Sequence, residues 1–162
     1  MTTLFAGVSW LNDWGLETSA EISIDALLDD ADVMTASAEA TVAVAEQLSV
    51  LKQETGVGDA ELLRAPFLHS ASYGASVAYQ PGVVNGLSMG NADYAAPEPH
   101  GPNIDGVDIM RAQLEQELRG VGVTVHWIEN WELLHRNIGE IHCGTNATRA
   151  VPQDATWWEG NR

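Results

Sequence analysis

From Ile24 to Lys52 the chain runs without a single glycine or proline, and this stretch constrains the fold more than any other. It is rich in Ala, Leu, Glu and Val, and Ala40, Val44, Leu48 and Leu51 fall at i, i+4, i+8 and i+11, the spacing of one helical face. The spacing predicts a long helix that stops at Gly56, with Gly58 close behind, because glycine accepts the left-handed backbone that closes helices. Ahead of it, Leu4 to Leu16 mix Trp10, Trp14 and Gly15 with polar residues and show no period, so residues 1–30 read as a lead-in of undefined structure.

Beyond Gly58 the chain is cut into short pieces by Gly and Pro. Leu62–Leu68, Ser76–Tyr79 and Val83–Leu87 each look like a short strand, and Ser88–Asp105, holding Pro97, Pro99 and Pro102, like a long loop. Val107–Leu118 returns to helical spacing through Ile109, Met110, Leu114 and Leu118, with Gly120 and Gly122 as the exit. Val123–Ile128 alternates apolar residues with Thr124 and His126, as a strand does. Asn130 can cap a short helical turn through Trp131–His135, and Glu140–Cys143 reads as a final strand. Helices interleaved with short strands make an α/β fold.

At 162 residues and 45% hydrophobic composition, the chain has the size and apolar content of one domain. A formal charge of −16 removes the electrostatic term that nucleic-acid binding needs, and favours solubility or a cationic substrate or basic partner. No stretch approaches the ~20 apolar residues of a membrane span. One cysteine excludes an intrachain disulfide, and the N-terminus has no basic region before its short apolar run, so the expected location is cytoplasmic.

That cysteine lies in Gly139-Glu-Ile-His-Cys143-Gly-Thr-Asn146. An isolated cysteine is often a small buried hydrophobe, but the flanking Gly139 and Gly144 allow a backbone to approach a ligand closely, so Cys143 is also a candidate nucleophile. On a strand, His142 would point away from Cys143, which makes it a structural neighbour rather than the activating base. The same divergence, and the lack of compact paired-ligand spacing, speak against a zinc site built from His126, His135, His142 and Cys143, and no metal ligands are assigned. Asp105 and Asp108 read as helix-start residues rather than catalytic acids, and Trp127, Trp131, Trp157 and Trp158 as packing residues.

Several ordered blocks resemble the protein-arginine deiminases. The Gly139–Asn146 motif followed by Trp157-Trp158-Glu159 is similar to the C-terminal signature of that family. Upstream, Pro81-Gly-Val-Val-Asn85-Gly-Leu87, His100-Gly-Pro-Asn-Ile-Asp105-Gly106, and the run ending Ile128-Glu-Asn130 match in the same order, over about residues 40–160. The resemblance implies a partial pentein, an α/β propeller of five ββαβ modules, with residues 31–162 forming the C-terminal part of the catalytic domain, roughly its last one to two modules. It implies hydrolysis of peptidyl-arginine in a basic protein or peptide to citrulline and ammonia, with Cys143 as nucleophile and His142, Gly144, Thr145 and Asn146 supporting it.

The resemblance also marks departures. The family's catalytic histidine and guanidinium-binding aspartates include a His-x-Asp-Glu segment, and none of the five histidines here is followed by that pattern. The chain alone is therefore expected to be inactive, with a partner segment able to supply the missing modules. Where animal members place a substrate-contacting arginine this chain has Asn137, and Arg136 is the neighbour able to replace it. Calcium is a possible cofactor by resemblance, with ligands mostly upstream of the matched residues. A non-catalytic module of the same fold, and a deiminase of free agmatine or arginine, are the alternatives.

Overall fold

The computed structural model describes residues 3–6 and 20–150, residue 73 excepted. Trp10, Trp14, Trp157, Trp158, Glu159 and most of the lead-in lie outside the described residues. The architecture is α/β. Strand β1 (Thr3–Ala6) pairs antiparallel with β2 (Ala20–Ser23), Thr3 opposite Ser23.

The predicted long helix is two helices. A first short one, α1 (Ile24–Leu28), is capped by the Ser23 hydroxyl, which accepts the Ala26 N–H at 3.1 Å. Asp30 then leaves the helical conformation, and its carboxylate accepts the N–H groups of Asp32 and Val33 at 3.0 and 3.1 Å, opening α2 (Ala31–Thr55). Apolar periodicity does not reveal this break, because a short acidic side chain satisfies orphan helix-start donors better than a continued helix would. At the far end Gly56 adopts φ 75° and its N–H returns to Lys52 O, so the expected stop is correct. The apolar face is used only in part. Val33, Ala36 and Ala40 are buried, whereas Val44 and Leu51, on the predicted face, are exposed together with Val42 and Val50.

Residues 62–68, expected as a strand, form no ladder; they lead into β3 (His69–Ser72), which pairs with β4 (Ala75–Ala78), close to the expected 76–79. The Ser37 hydroxyl accepts the His69 N–H at 3.1 Å and ties β3 to α2. Val83–Leu87 is largely turn rather than strand, and the predicted long loop contains most of the principal sheet. Strand β5 (Leu87–Gly90) and β6 (Asp93–Pro97) form a hairpin across Asn91-Ala92, whose φ values of 51° and 64° are those of a primed turn. An alanine where glycine is usual, and three nearby prolines, disguised it. A second hairpin, β7 (Asn103–Ile104) and β8 (Val107–Asp108), leads to α3 (Ile109–Gly120) and then to β9 (Thr124–Ile128), which lies parallel to β6.

The sheet order is β5-β6-β9, so β5, β6, α3 and β9 make one ββαβ unit with β6 central. Asp108 sets the start of α3: one carboxylate oxygen accepts from Met110 and Arg111 N–H, and the other from Gly101 N–H at 2.6 Å. Asp105, by contrast, occupies the tip of the β7–β8 hairpin with φ 52°. Val83, Ala96 and Leu114 form the core of this unit, with Tyr94, Leu118, Val125 and Trp127 packed on it. The alternation read from Thr124 to Ile128 holds, Val125 and Trp127 facing in while Thr124, His126 and Ile128 are exposed. A separate small core joins Leu27 and Val33 to Ile22, Met34, Leu68 and Tyr79.

Candidate active site

After β9 the chain makes two consecutive turns, residues 131–134 and 141–144, with a 3-10 turn, His135–Asn137, between them. The expected strand Glu140–Cys143 is the second of these turns. Gly144 N–H bonds back to Glu140 O and Ile141 O at 3.2 and 3.1 Å, and Thr145 N–H and Oγ1–H both reach His142 O, which curls the chain around Cys143. A turn, not a pleat, therefore sets the directions of His142 and Cys143, and alternation no longer separates them. Cys143 is exposed and free, so the reading of it as a buried apolar residue does not hold.

The turn is anchored from beneath. Glu140 is buried, its side chain 7% exposed, and a carboxylate there must be satisfied by donors. It is: one oxygen accepts the Gly82 N–H at 3.2 Å and lies 2.9 Å from His135 Nδ1, and the other accepts Asn130 Nδ2–H at 2.6 Å. The Asn130 side chain thus goes to Glu140 rather than capping a helix, while the Asn130 backbone carbonyl accepts from Leu134 and His135 N–H. The Trp131 ring packs on His135 with centroids 4.9 Å apart and so holds the imidazole in place. From the other side His142 N–H donates to Asn85 O at 3.1 Å, joining the turn to the 83–86 turn. Sequence reasoning missed Glu140. The available signal was an acidic residue in a short apolar run after a glycine, since a charge is rarely buried unpartnered.

Glycines shape the support. A side chain at Gly82 would strike the Phe67 ring, and one at Gly144 would press on Leu134. Ile138, between the 3-10 turn and Gly139, carries φ 59°, a costly left-handed geometry for a β-branched residue and a local reservoir of strain beside the turn.

A cleft of about 570 Å³ opens beside this assembly, bounded by β3, β4, Gly82, Asn85, His135, Arg136 and Glu140. Arg136 lines it and forms an ion pair with Glu132 at 2.6 Å. Asn137 is exposed, its amide donating to Leu133 O. His142, Gly144, Thr145 and Asn146 are exposed around Cys143. Downstream, Arg149 donates to Ser88 O and ties the tail to β5. His126 pairs with Asp93 at 2.7 Å on the sheet, and His69 Nδ1 lies 2.8 Å from Ser76 Oγ, its pKa lowered by burial. Among the described residues no three His, Cys, Asp or Glu side chains converge to hold a metal. Nor is any described helix long and apolar enough to cross a membrane.

A sequence model of the protein-arginine deiminase (PAD) family matches residues 2–159, reaching back across the N-terminal residues where the blocks quoted above carry no likeness. Protein-arginine deiminase type-3 of Rattus norvegicus is 30% identical over 155 residues, 96% of this chain and 22% of that protein. Type-1 of Mus musculus is 30% identical over 144 residues, covering 89% of this chain and 22% of the relative. Type-4 of Mus musculus is 31% identical over 115 residues, covering 68% and 17%. The chain spans about a fifth of the length of these curated relatives. With the family match running over nearly all of its length, the chain belongs to the protein-arginine deiminase family.

Proposed function

We propose that this chain supplies the nucleophile of a hydrolytic deimination of peptidyl-arginine, and the observation that carries the reading is an exposed sole cysteine on a turn whose base is clamped by a buried carboxylate. The Cys143 thiolate attacks the guanidinium carbon, forming a C–S bond and a tetrahedral adduct. Ammonia leaves with its electron pair after protonation, giving a covalent thiouronium. Water then attacks the same carbon, the C–S bond breaks, and peptidyl-citrulline departs with the thiolate restored. The ββαβ unit of β5, β6, α3 and β9 supports the reading of a partial pentein, one to two modules of five. Basic, arginine-containing peptides are the substrates that a charge of −16 favours. A reducing compartment such as the cytoplasm keeps such a thiol available.

Within these 162 residues no histidine begins a His-x-Asp-Glu segment. Thiolate activation and guanidinium positioning are each worth orders of magnitude in rate, so the chain by itself does not turn over. Ammonia release from an arginyl peptide tests this. Silence from the chain alone, and release abolished by Cys143→Ser once a segment carrying the missing groups is supplied, is the expected pattern; release that survives Cys143→Ser sinks the nucleophile assignment. A second reading, a non-catalytic interaction module of the same fold, is favoured by the exposed Val42, Val44, Val50 and Leu51 of α2. It predicts that the completed assembly stays silent in the same assay.

A further inference from the structure

Glu140 draws its partners from three separate places in the chain around Cys143. Its donors are the Gly82 amide, 58 residues away in sequence, the Asn130 amide group, and His135 on the 3-10 turn. Its own carbonyl accepts the Gly144 N–H, so the two ends of the same residue hold the underside of the turn and the residue that follows the thiol. The clamp is completed by His142 N–H on Asn85 O. Cys143 itself sits between the two clamped residues and is exposed.

We propose that Glu140 is a positioning residue: it holds the turn 141–144 in one arrangement and thereby fixes where the Cys143 thiol is presented. The inference rests on the reading of Cys143 as nucleophile and deepens it. Glu140 does not touch the reacting atoms; it acts through the turn. The carboxylate is suited to this task because it accepts on both oxygens, and no other side chain of this size offers two acceptors to convergent donors. Glu140→Ala would orphan buried donors and risks unfolding, so the informative change is Glu140→Gln, which keeps the shape and turns one acceptor into a donor facing the Asn130 amide. Adding Asn130→Asp to Glu140→Gln reverses that hydrogen bond and should restore it. The recovery will be partial, because the second oxygen at position 130 is buried with no hydrogen-bond partner among the described residues.

The experiment uses the whole chain with 13Cβ-labelled cysteine, which reports Cys143 alone because it is the sole cysteine. Expected are one narrow signal in the wild type, a broadened or multiple signal in Glu140→Gln with thermal unfolding still cooperative, and a return toward one signal in the Asn130→Asp/Glu140→Gln double variant. An unchanged single signal in Glu140→Gln overturns the proposal. Loss of the whole fold in that variant also overturns it, since Glu140 would then be a general stability residue. In the completed, active assembly, a displaced thiol should lower kcat by about 100-fold, the scale of an ångström misplacement, with KM little changed. If the signal responds but ammonia release survives Cys143→Ser, the nucleophile reading has failed and the positioning of the turn has not.

Discussion

Single residues in this molecule are constrained less by their propensity than by what they touch. Gly86 illustrates it: its N–H donates to Tyr94 Oη, which in turn donates to Val83 O, and a Cβ at Gly86 would lie 2.7 Å from that phenol oxygen and closer still to the Ala95 carbonyl. Backbone of a central strand cannot yield as a flexible side chain can, so Gly86→Ala should destabilise by about 3 kcal/mol, the upper end of overpacking costs, read as a fall in unfolding midpoint. Gly58→Ala, which meets only the Glu61 carboxylate at 3.8 Å, is the control expected to change little. Glu98 carries a pH signature. Burial pushes its carboxyl above the ordinary carboxylate value, against the opposing pull of Arg111 at 3.3 Å. A raised folded-state value means that the stability this group contributes is complete below the ordinary value and is lost as pH rises through the folded one. Wild type should therefore lose ground to Glu98→Gln as pH climbs out of the acidic range toward neutrality, and a gain over that interval would refute the assignment.

At the scale of elements, local chemistry is legible where it terminates or alternates and opaque where it joins. Gly56 ends α2, Asp108 begins α3 and Val125 and Trp127 define the inner face of β9, all as their spacing implies. The β5–β6 hairpin was hidden because its loop is Asn91-Ala92, both at positive φ, rather than the usual Asn-Gly. Ala92→Gly should relieve the left-handed strain and stabilise the protein by about 1 kcal/mol, measurable by denaturant midpoint at unchanged slope. The final strand expected at Glu140–Cys143 failed for a related reason: a short apolar run has no fixed state until a partner strand is available, and here the Gly144 N–H folds back onto Glu140 and Ile141 instead.

At the scale of the molecule, burial among the described residues is unevenly spread between two small cores, and the exposed apolar residues of α2 lie outside both. Leu114, inside the cluster with Val83 and Ala96, is 5% exposed, whereas Val50 on α2 is 59% exposed. Leu114→Ala should cost about 2–5 kcal/mol, while Val50→Ala should stay within about 0.5 kcal/mol in the isolated chain. Should Val50→Ala prove as damaging as Leu114→Ala in thermal unfolding, the outer face of α2 is covered in solution. The sequence by itself determined the family, the candidate nucleophile Cys143, the stop of α2 at Gly56 and the start of α3 at Asp108, because motif order and capping are properties of neighbouring residues. Tertiary structure alone decided that β6 lies between β5 and β9, that Asp93 opposes Thr124, and that Glu140 binds Gly82 across 58 residues. Those links depend on which distant donors and acceptors the closed chain brings together, and no local pattern encodes them.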